Sequence, residues 1–585
     1  MHRANFVWIA ILAGLFLFGL ASDAQAQSGT VAQPPQSIWI WGPPVGDGPH
    51  MIRRSGATQS TWTWTPPVSA ERSAMSAAPQ AGLSPDASSA QVPPNCRYGA
   101  STAGTTQANW LATLGAGWYL DFGTNAPLPL SGAQYVQMLR IKQDKIGCTY
   151  LNSYKVSPEL TNAALGAVVA SHPGALWIVG NEPDRGPNPG ECVGGQDDTF
   201  PEIYARAYHD AYTFIKRRDP TARISVAGLV EVTPGRLQYW DKVWQAYQQT
   251  YGERIPVDVW NMHLYVLPEL VPDGNSPSGS ATVALGTDMA LGIRASGNSA
   301  ATCSDPQVYC WAEHDSLAVF GQQIAAMRTW MKQRGEQNKP LILAEYSQLY
   351  PFVEYDDPIN PTTCYLQDEY GKCWTQARVQ EFMLRTFDYL ETAVDPNLGY
   401  PRDQNRLVQR WLWFTMNIQP AEAVGYVSNL LTNDLSALTG VGETYRTYVA
   451  GRPQYINLQP EHVAGSPSFL PGTDTTGSAA IHAEVVNIGN VQTAAPFGVT
   501  FYADSALTQP IGSVQLQSAV AGCMSQAPTA TVMWSGLALG THQFWVKVDS
   551  SNALNESDES DNIGTGFVTI YRHGIMLPLI RNGNN

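Results

Sequence analysis

Residues 177 to 184 read WIVGNEPD. Trp177, Ile178 and Val179 have the bulk and branching of a buried strand, and polar Asn181, Glu182, Pro183 and Asp184 follow directly after Gly180. Pro183 cannot donate to a ladder, so it ends the strand one residue past Glu182 and fixes how that side chain leaves it. A buried strand that stops on a carboxylate delivers that group to one end of its sheet. Where parallel strands alternate with helices, that end carries the chemistry.

The flanking sequence repeats the pattern. Apolar bursts occur at GAGWYLDF (115–122), YVQMLRI (135–141), ALWIVG (175–180), RISVAG (223–228), VDVWNMHLYV (257–266), PLILAEYS (340–347) and RWLWFTMN (410–417), with CTYLNSY (148–154) a weaker eighth. Between them lie helical patterns such as PEIYARAYHDAYTFIKRRD (201–219), in which Tyr204, Ala207, Ala211, Phe214 and Ile215 recur at i, i+3, i+4 spacing. About eight alternations predict an α/β fold closed as a (β/α)₈ TIM barrel over residues 109–453. After about residue 455 short alternating runs such as AAIHAEVVNIG, FGVTFYAD and THQFWVKVD, broken by Gly, Asn, Pro and Asp, predict a small antiparallel β-sandwich over 476–573. Residues 454–475 read as a linker and 574–585 as a tail.

At 585 residues, two folded units and spacers are expected. Hydrophobic residues make up 44% and charged residues 14%, which suits a large core. The net charge of −15 repels a phosphate backbone and anionic lipid, so no nucleic-acid partner is expected. Eighteen Trp and 26 Tyr supply flat rings that suit sugar faces and also large cores.

His2 and Arg3 precede the apolar run FVWIAILAGLFLFGLA, and Ala24, Gln25 and Ala26 form a small-x-small cleavage site, so residues 1–26 read as a signal peptide. An uncleaved anchor is the alternative, but the run falls short of the ~20 residues a span needs. A secreted or cell-surface protein with no membrane span after cleavage is expected. Residues 27–108, rich in Ser, Ala, Gln, Pro, Thr and Gly, read as a low-complexity spacer. The chain has eight cysteines, and in an oxidising compartment Cys303 with Cys310 and Cys364 with Cys373 are expected to close short loops. No partners are assigned to Cys96, Cys148, Cys192 and Cys523. The acidic run Glu556, Asp558, Glu559 and Asp561 fits no defined calcium loop and reads first as a solvated loop.

The second strand-terminal carboxylate is Glu345, after Leu341, Ile342, Leu343 and Ala344. Two such glutamates are what glycoside hydrolysis requires, one protonating the leaving oxygen and one attacking or stabilising the anomeric carbon. That chemistry calls for Glu182 to be protonated near neutrality beside an ionised Glu345. His263 and Tyr265 share a strand face and could hydrogen-bond a carboxylate. Trp411 and Trp413 share a face and either offer a sugar platform or fill the core. No metal or organic cofactor is implied.

The order of these motifs, GNEP on a fourth strand, HxY on a sixth and a Glu closing the seventh, resembles the large clan of retaining (β/α)₈ glycoside hydrolases. GWYLDF, VQML, WIVGNEPD, VDVWNMHLY and PLILAEYS resemble the Asl1-like group, glycoside hydrolase family 128, whose known members cleave β-1,3-glucan. The resemblance covers roughly residues 111 to 420. It implies Glu182 as acid/base, Glu345 as nucleophile, Asn181 on the sugar 2-hydroxyl and Tyr265 bonded to the nucleophile. It also implies His263 as a β6 histidine of the site and Trp118 with Tyr119 as an aromatic pair on the first strand. Asp121 and Phe122 stand where the group tends to have Asn and Trp, and VQMLRIK where it tends to have a PML-Trp stretch. AEVVNIGNVQTAAPFGVTFYAD with WVKVDSSNALNESDESDN resembles the CARDB-type accessory domains of exported bacterial proteins. The expected partner is a polysaccharide or oligosaccharide substrate, with the sandwich, joined by a polar linker, dispensable for chemistry and available for cell-surface attachment. The competing expectation is a non-catalytic carbohydrate-binding or adhesion protein on a degenerate barrel.

Overall fold

The computed structural model describes residues 94–124, 132–186, 192, 196–266, 314–349, 375–419 and 425–572, with short strands at 39–41, 51–53, 269–270 and 307–309. The signal peptide 1–26, most of the spacer, Cys303, Cys310, Cys364, Cys373 and the tail 574–585 lie outside the described residues.

The chain is a mixed α/β protein with mainly parallel sheets in its first part and mainly antiparallel sheets in its second. Eight strands of the first part are β1 (Asn95–Ser101), β2 (Ala116–Leu120), β3 (Gln137–Ile146), β4 (Leu176–Val179), β5 (Arg223–Val226), β6 (Trp260–Leu264), β7 (Leu341–Tyr346) and β8 (Arg410–Trp413). One sheet runs β6-β7-β8-β1-β2 and adds Gln134–Tyr135 beside β2; the other runs β3-β4-β5 and adds Thr149–Ser157 beside β3. Ser225 and Val259 form a parallel bridge between the two sheets. Helices α1 (Ala163–Ser171), α2 (Pro201–Lys216), α3 (Pro234–Tyr251), α4 (Leu317–Gln333) and α5 (Gln376–Thr392) precede β4 to β8 in turn, and α6 (Gly440–Ala450) follows β8.

Two of the strand expectations change. β1 lies inside the stretch read as spacer. Its sequence NCRYGAS looks polar, yet all seven residues are buried, with Arg97 paired to Asp403 and Cys96 bonded to Cys523 far along the chain. GAGWYLDF is therefore the second strand, and CTYLNSY is no parallel strand but the antiparallel mate of β3. The period of two sorts side chains as expected. Trp177 and Val179 face the helices, while Leu176 and Ile178 join Trp118, Met138, Ile342, Ala344 and Leu412 in a separate cluster on the other face.

The second part is a sandwich of β9 (Leu458–Gly465), β10 (Ser468–Leu470), β11 (Thr476–Asn487), β12 (Phe497–Tyr502), β13 (Pro510–Leu516), β14 (Thr529–Ala538), β15 (Gly540–Val548) and β16 (Ile563–Arg572). Its sheets run β9-β11-β14 and β10-β16-β15-β12-β13. The expected linker 454–475 thus contains β9 and β10. Pro460 is tolerated because β9 is an edge strand. The acidic run is partly turned inward: Asn457 Nδ2 donates to Asp561 Oδ2 at 2.9 Å and Asn562 Nδ2 to Glu556 Oε1 at 3.0 Å, tying the loop to the start of β9.

The two parts are fastened where the parallel strands begin. Cys96 in β1 forms a disulfide with Cys523, and its N–H donates to Asn490 O at 2.9 Å. The Arg97 guanidinium donates to both Asp403 oxygens at 2.9 Å and to Ile488 O at 3.2 Å. Arg223, the first residue of β5, donates to Met524 O, and Tyr400 packs with Val486, Ile488 and Met524. A second disulfide joins Cys148, in the turn after β3, to Cys192. Among the described residues no helix is long and apolar enough to cross a membrane.

Candidate active site

Glu182 stands three residues past the end of β4, whose Leu176 and Ile178 face inward. The strand leaves through Gly180 at φ 94°, and Glu182 itself sits in the left-handed region at φ 46°. A non-glycine residue there costs roughly 1–3 kcal/mol and persists only when its surroundings over-determine it. They do: Glu182 N–H donates to Gly228 O at 3.0 Å. Asn181 N–H and Ile141 N–H both donate to Asp197 Oδ2, at 2.7 and 2.8 Å, while Arg140 pairs with the other oxygen at 2.6 Å. Asp184 is fully buried in an ion pair with Arg236 of α3.

β6 contributes His263, and Tyr265 follows directly after its last residue; both are buried, on the face opposite Met262 and Leu264. His263 lies against Gly228, where a Cβ would sit 2.1 Å from its Cδ2, so this approach requires glycine. Glu345 reaches the same place by an irregularity. Strict alternation would put it on the helix side with Leu341 and Leu343, but the β6–β7 and β7–β8 registers both slip next to it. Such a bulge re-aims a side chain. Tyr346, and not Glu345, packs among the helix-facing residues.

The result is a compact cluster. His263 Nδ1 lies 3.1 Å from Glu182 Oε1 and 3.9 Å from Glu345 Oε2. Tyr265 Oη donates to Glu345 Oε1 at 2.6 Å, and an Arg185 guanidinium nitrogen lies 3.7 Å from Glu182 Oε2. One ligand atom from each of Glu182, His263 and Glu345 lies within 4.8 Å of the others, so these three residues could also ligate a divalent cation.

The protons are distributed otherwise than expected. Burial pushes Glu345 up to about 7, with the Glu182 charge adding to it and the His263 charge and the Tyr265 hydroxyl opposing. Burial also acts to raise Glu182, but the His263 hydrogen bond and charge, with Arg185 and Arg236, outweigh it and hold that carboxyl below its usual range. His263 is raised, because Glu345 and Glu182 outweigh the burial that would lower it. Glu182 is therefore the ionised partner and Glu345 the one near its titration point, the reverse of the assignment that the chemistry called for.

Of the other expected residues, Asn181 is buried beside the cluster; its Nδ2 donates to Gln196 Oε1 at 3.4 Å, and its Oδ1 has no hydrogen-bond partner. The aromatic expectations are not met. Trp118 is fully buried among the inward apolar residues, under the Arg410 guanidinium at 4.6 Å. Tyr119, Trp411 and Trp413 all face the helix layer, Trp411 against Tyr98 and Trp413 against Tyr346. Rings do stand just past the ends of β2 and β8, where Phe122 and Phe414 meet at 6.2 Å. Phe414, Arg185, Asp197 and Arg236 also surround the site and are not legible from motif or alternation.

No curated protein matches the chain. Among solved structures, a GH128 (subgroup III) curdlan-specific exo-β-1,3-glucanase from Blastomyces gilchristii, in complex with glucose, is similar at 13% identity and TM-score 0.35, covering 60% of this chain and 97% of its own. A GH128 (subgroup VII) oligosaccharide-binding protein from Trichoderma gamsii is similar at 14% identity and TM-score 0.33, covering 61% and 95%. A CARDB domain from Pyrococcus furiosus in complex with di-metal ions is similar at 15% identity and TM-score 0.17, covering 21% and 99%. The family model described as CARDB matches residues 471–566, and the sandwich at the C-terminus is a CARDB domain.

Proposed function

We propose that this chain is an exported retaining glycoside hydrolase acting on a neutral polysaccharide, a β-glucan with β-1,3 linkage favoured, with Glu182 as acid/base and Glu345 as nucleophile. The observation that carries the reading is the convergence of two buried glutamates, from strands far apart in sequence, to within 4.8 Å at the C-terminal ends of parallel strands. Carboxyl groups about 5–5.5 Å apart suit double displacement, whereas inversion needs ~6.5–9.5 Å to admit a water. We read the two parallel sheets as one (β/α)₈ barrel. Gln134–Tyr135 pairs with β2 and leads within one residue into β3, and the Ser225–Val259 bridge joins β5 to the start of β6.

In this reading the free enzyme holds its mobile protons on His263 and Glu345. Turnover needs Glu345 ionised, which the short Tyr265 hydrogen bond favours, and Glu182 protonated, for which His263 Nδ1 at 3.1 Å is the adjacent donor. Glu182 then protonates the glycosidic oxygen as Glu345 attacks the anomeric carbon, and water, deprotonated by Glu182, releases the sugar from Glu345. Asn181 Oδ1 is available to the 2-hydroxyl, while Phe122 and Phe414 replace the expected tryptophans as ring contacts. Proton NMR of the first-formed anomer tests the reading: a retained product is expected, an inverted one overturns both roles, and no reducing-sugar release from any of glucan, xylan or mannan favours a binding protein.

A further inference from the structure

The five-stranded sheet of the sandwich turns one face to its own core and the other outward. Phe497, Val499, Phe501, Phe544, Val546, Val568 and Ile570 are core residues. The alternate residues of the same strands carry large rings on the outer face. Phe469 of β10 is 57% exposed and stacks on Tyr571 of β16, 49% exposed, with ring centres 5.5 Å apart and planes at 28°. Phe567 is 54% exposed on the same strand, and the half-buried Trp545 of β15 lies opposite Thr565. From Tyr571 to the Trp545 level is six residues of strand, about 20 Å at ~3.3 Å per residue.

A sheet face that serves only to be wetted has no use for such rings, and contiguous exposed apolar patches mark contacts. What lies between the rings indicates the occupant. Thr541 and Thr569 pair across the strands with hydroxyls 3.0 Å apart, and exposed Gln543 lies opposite Phe567. Hydroxyls and an amide alternate with rings, so the face joins stacking surface to hydrogen-bonding groups. Formal charge on the outward positions of β15 and β16 is confined to Lys547, next to Ile563 at one end. In a chain of net charge −15, a polyanion is repelled, and a neutral polymer with apolar faces and hydroxyl edges is complementary.

We propose that this face is a second binding site for a neutral polysaccharide, holding the protein on a solid substrate. It is remote from the carboxylates: the sandwich meets the N-terminal ends of the parallel strands, through Cys96, Arg97 and Arg223, whereas the carboxylates lie at the C-terminal ends. The polymer held here is a different segment from one in the cleft, and the Cys96–Cys523 bond carries the anchoring force to β1.

The test uses the full chain carrying Glu345→Gln, so that retention is read without hydrolysis, and depletes it with insoluble β-1,3-glucan, cellulose and calcium-alginate gel. Retention on at least one neutral solid but not on alginate is expected, with about tenfold weaker binding after Phe567→Ala with Tyr571→Ala. Tyr571→Trp should keep binding. In the parent chain the alanine pair should leave turnover of a soluble oligosaccharide unchanged, because neither residue is near the cleft. Equal retention of the alanine pair, or no retention on either neutral solid, overturns the proposal. A dimer in sedimentation that the pair abolishes, without polysaccharide binding, overturns it in favour of a second copy of the chain. Failure of the glycosidase reading would show as absent turnover and leave this binding result standing.

Discussion

The Arg97–Asp403 pair, at the N-terminal ends of the parallel strands, and the Glu182–His263–Glu345 cluster, at the C-terminal ends, bury charge in opposite ways. At the N-terminal ends Arg97 meets both oxygens of Asp403, and the pairing outweighs burial and keeps the guanidinium charged. At the C-terminal ends two carboxylates share one imidazole, Glu345 is pushed up to about 7 and Glu182 sits at φ 46°. Matched charge fixes a structure, while mismatched charge stores a proton that can be moved. The difference separates fastening from chemistry without reference to any relative.

The largest expected effect breaks the mismatched end. Glu345→Ala should lower kcat by about 10⁴-fold or more, and azide should restore turnover with an inverted glycosyl azide. Glu182→Ala should spare substrates whose leaving group needs no proton, and azide should give the retained product. The opposite pattern in the two variants would exchange the two roles, which the pKa directions make a pointed test.

Breaking the matched end should cost stability and spare chemistry. Arg97→Ala leaves Asp403 buried without its partner, so chemical denaturation should show a loss of about 3–5 kcal/mol, with kcat unchanged at temperatures where the variant is folded. A fall in kcat as large as the one from Glu345→Ala would erase the distinction between the ends. Cys96→Ser opens a crosslink spanning 427 residues and should cost about 2–5 kcal/mol in the same assay. Removal of the sandwich from residue 455 onward would likewise uncover Tyr400 and strip Arg97 of Ile488 O, so a truncated chain is expected to lose stability and to keep turnover on a soluble oligosaccharide where it folds.

The smallest effect sharpens the comparison. Glu345 must be ionised to attack, so kcat/KM should rise as pH passes through about 7. The His263 charge lowers Glu345, so His263→Asn should move that limb to higher pH. A downward or absent shift would show that the imidazole does not set the carboxyl's titration.

Glu182 was legible as the carboxylate that follows the strand residues WIV, but the left-handed turn at Gly180 and Glu182 that aims it was not. Glu345 was legible as a strand terminus, but its direction was not, since a register slip turns it and alternation alone points it at the helices. Trp411 and Trp413 misled because two rings on one face resemble a platform; Leu412 between them takes the inward position. β1 was missed because Arg97 looks solvated until Asp403, more than three hundred residues later, is known. The Phe567–Tyr571 face was legible as alternation, but which side met the core was not.

The Cys96–Cys523 bond sets an order on biosynthesis. At about 5–20 residues per second, Cys523 follows Cys96 out of the ribosome by roughly 20–85 s, whereas Cys192 follows Cys148, 44 residues earlier in sequence, by about 2–9 s. For about the first three quarters of that wait β1 also lacks β8 (Arg410–Trp413), its neighbour on one side. The first strand therefore lacks one edge partner for most of that wait, and its sulfur stays open until Cys523 is made. Of the four described cysteines, Cys96 waits longest for its partner and is the most open to capture by a wrong one, so disulfide shuffling will bear on the yield of native protein.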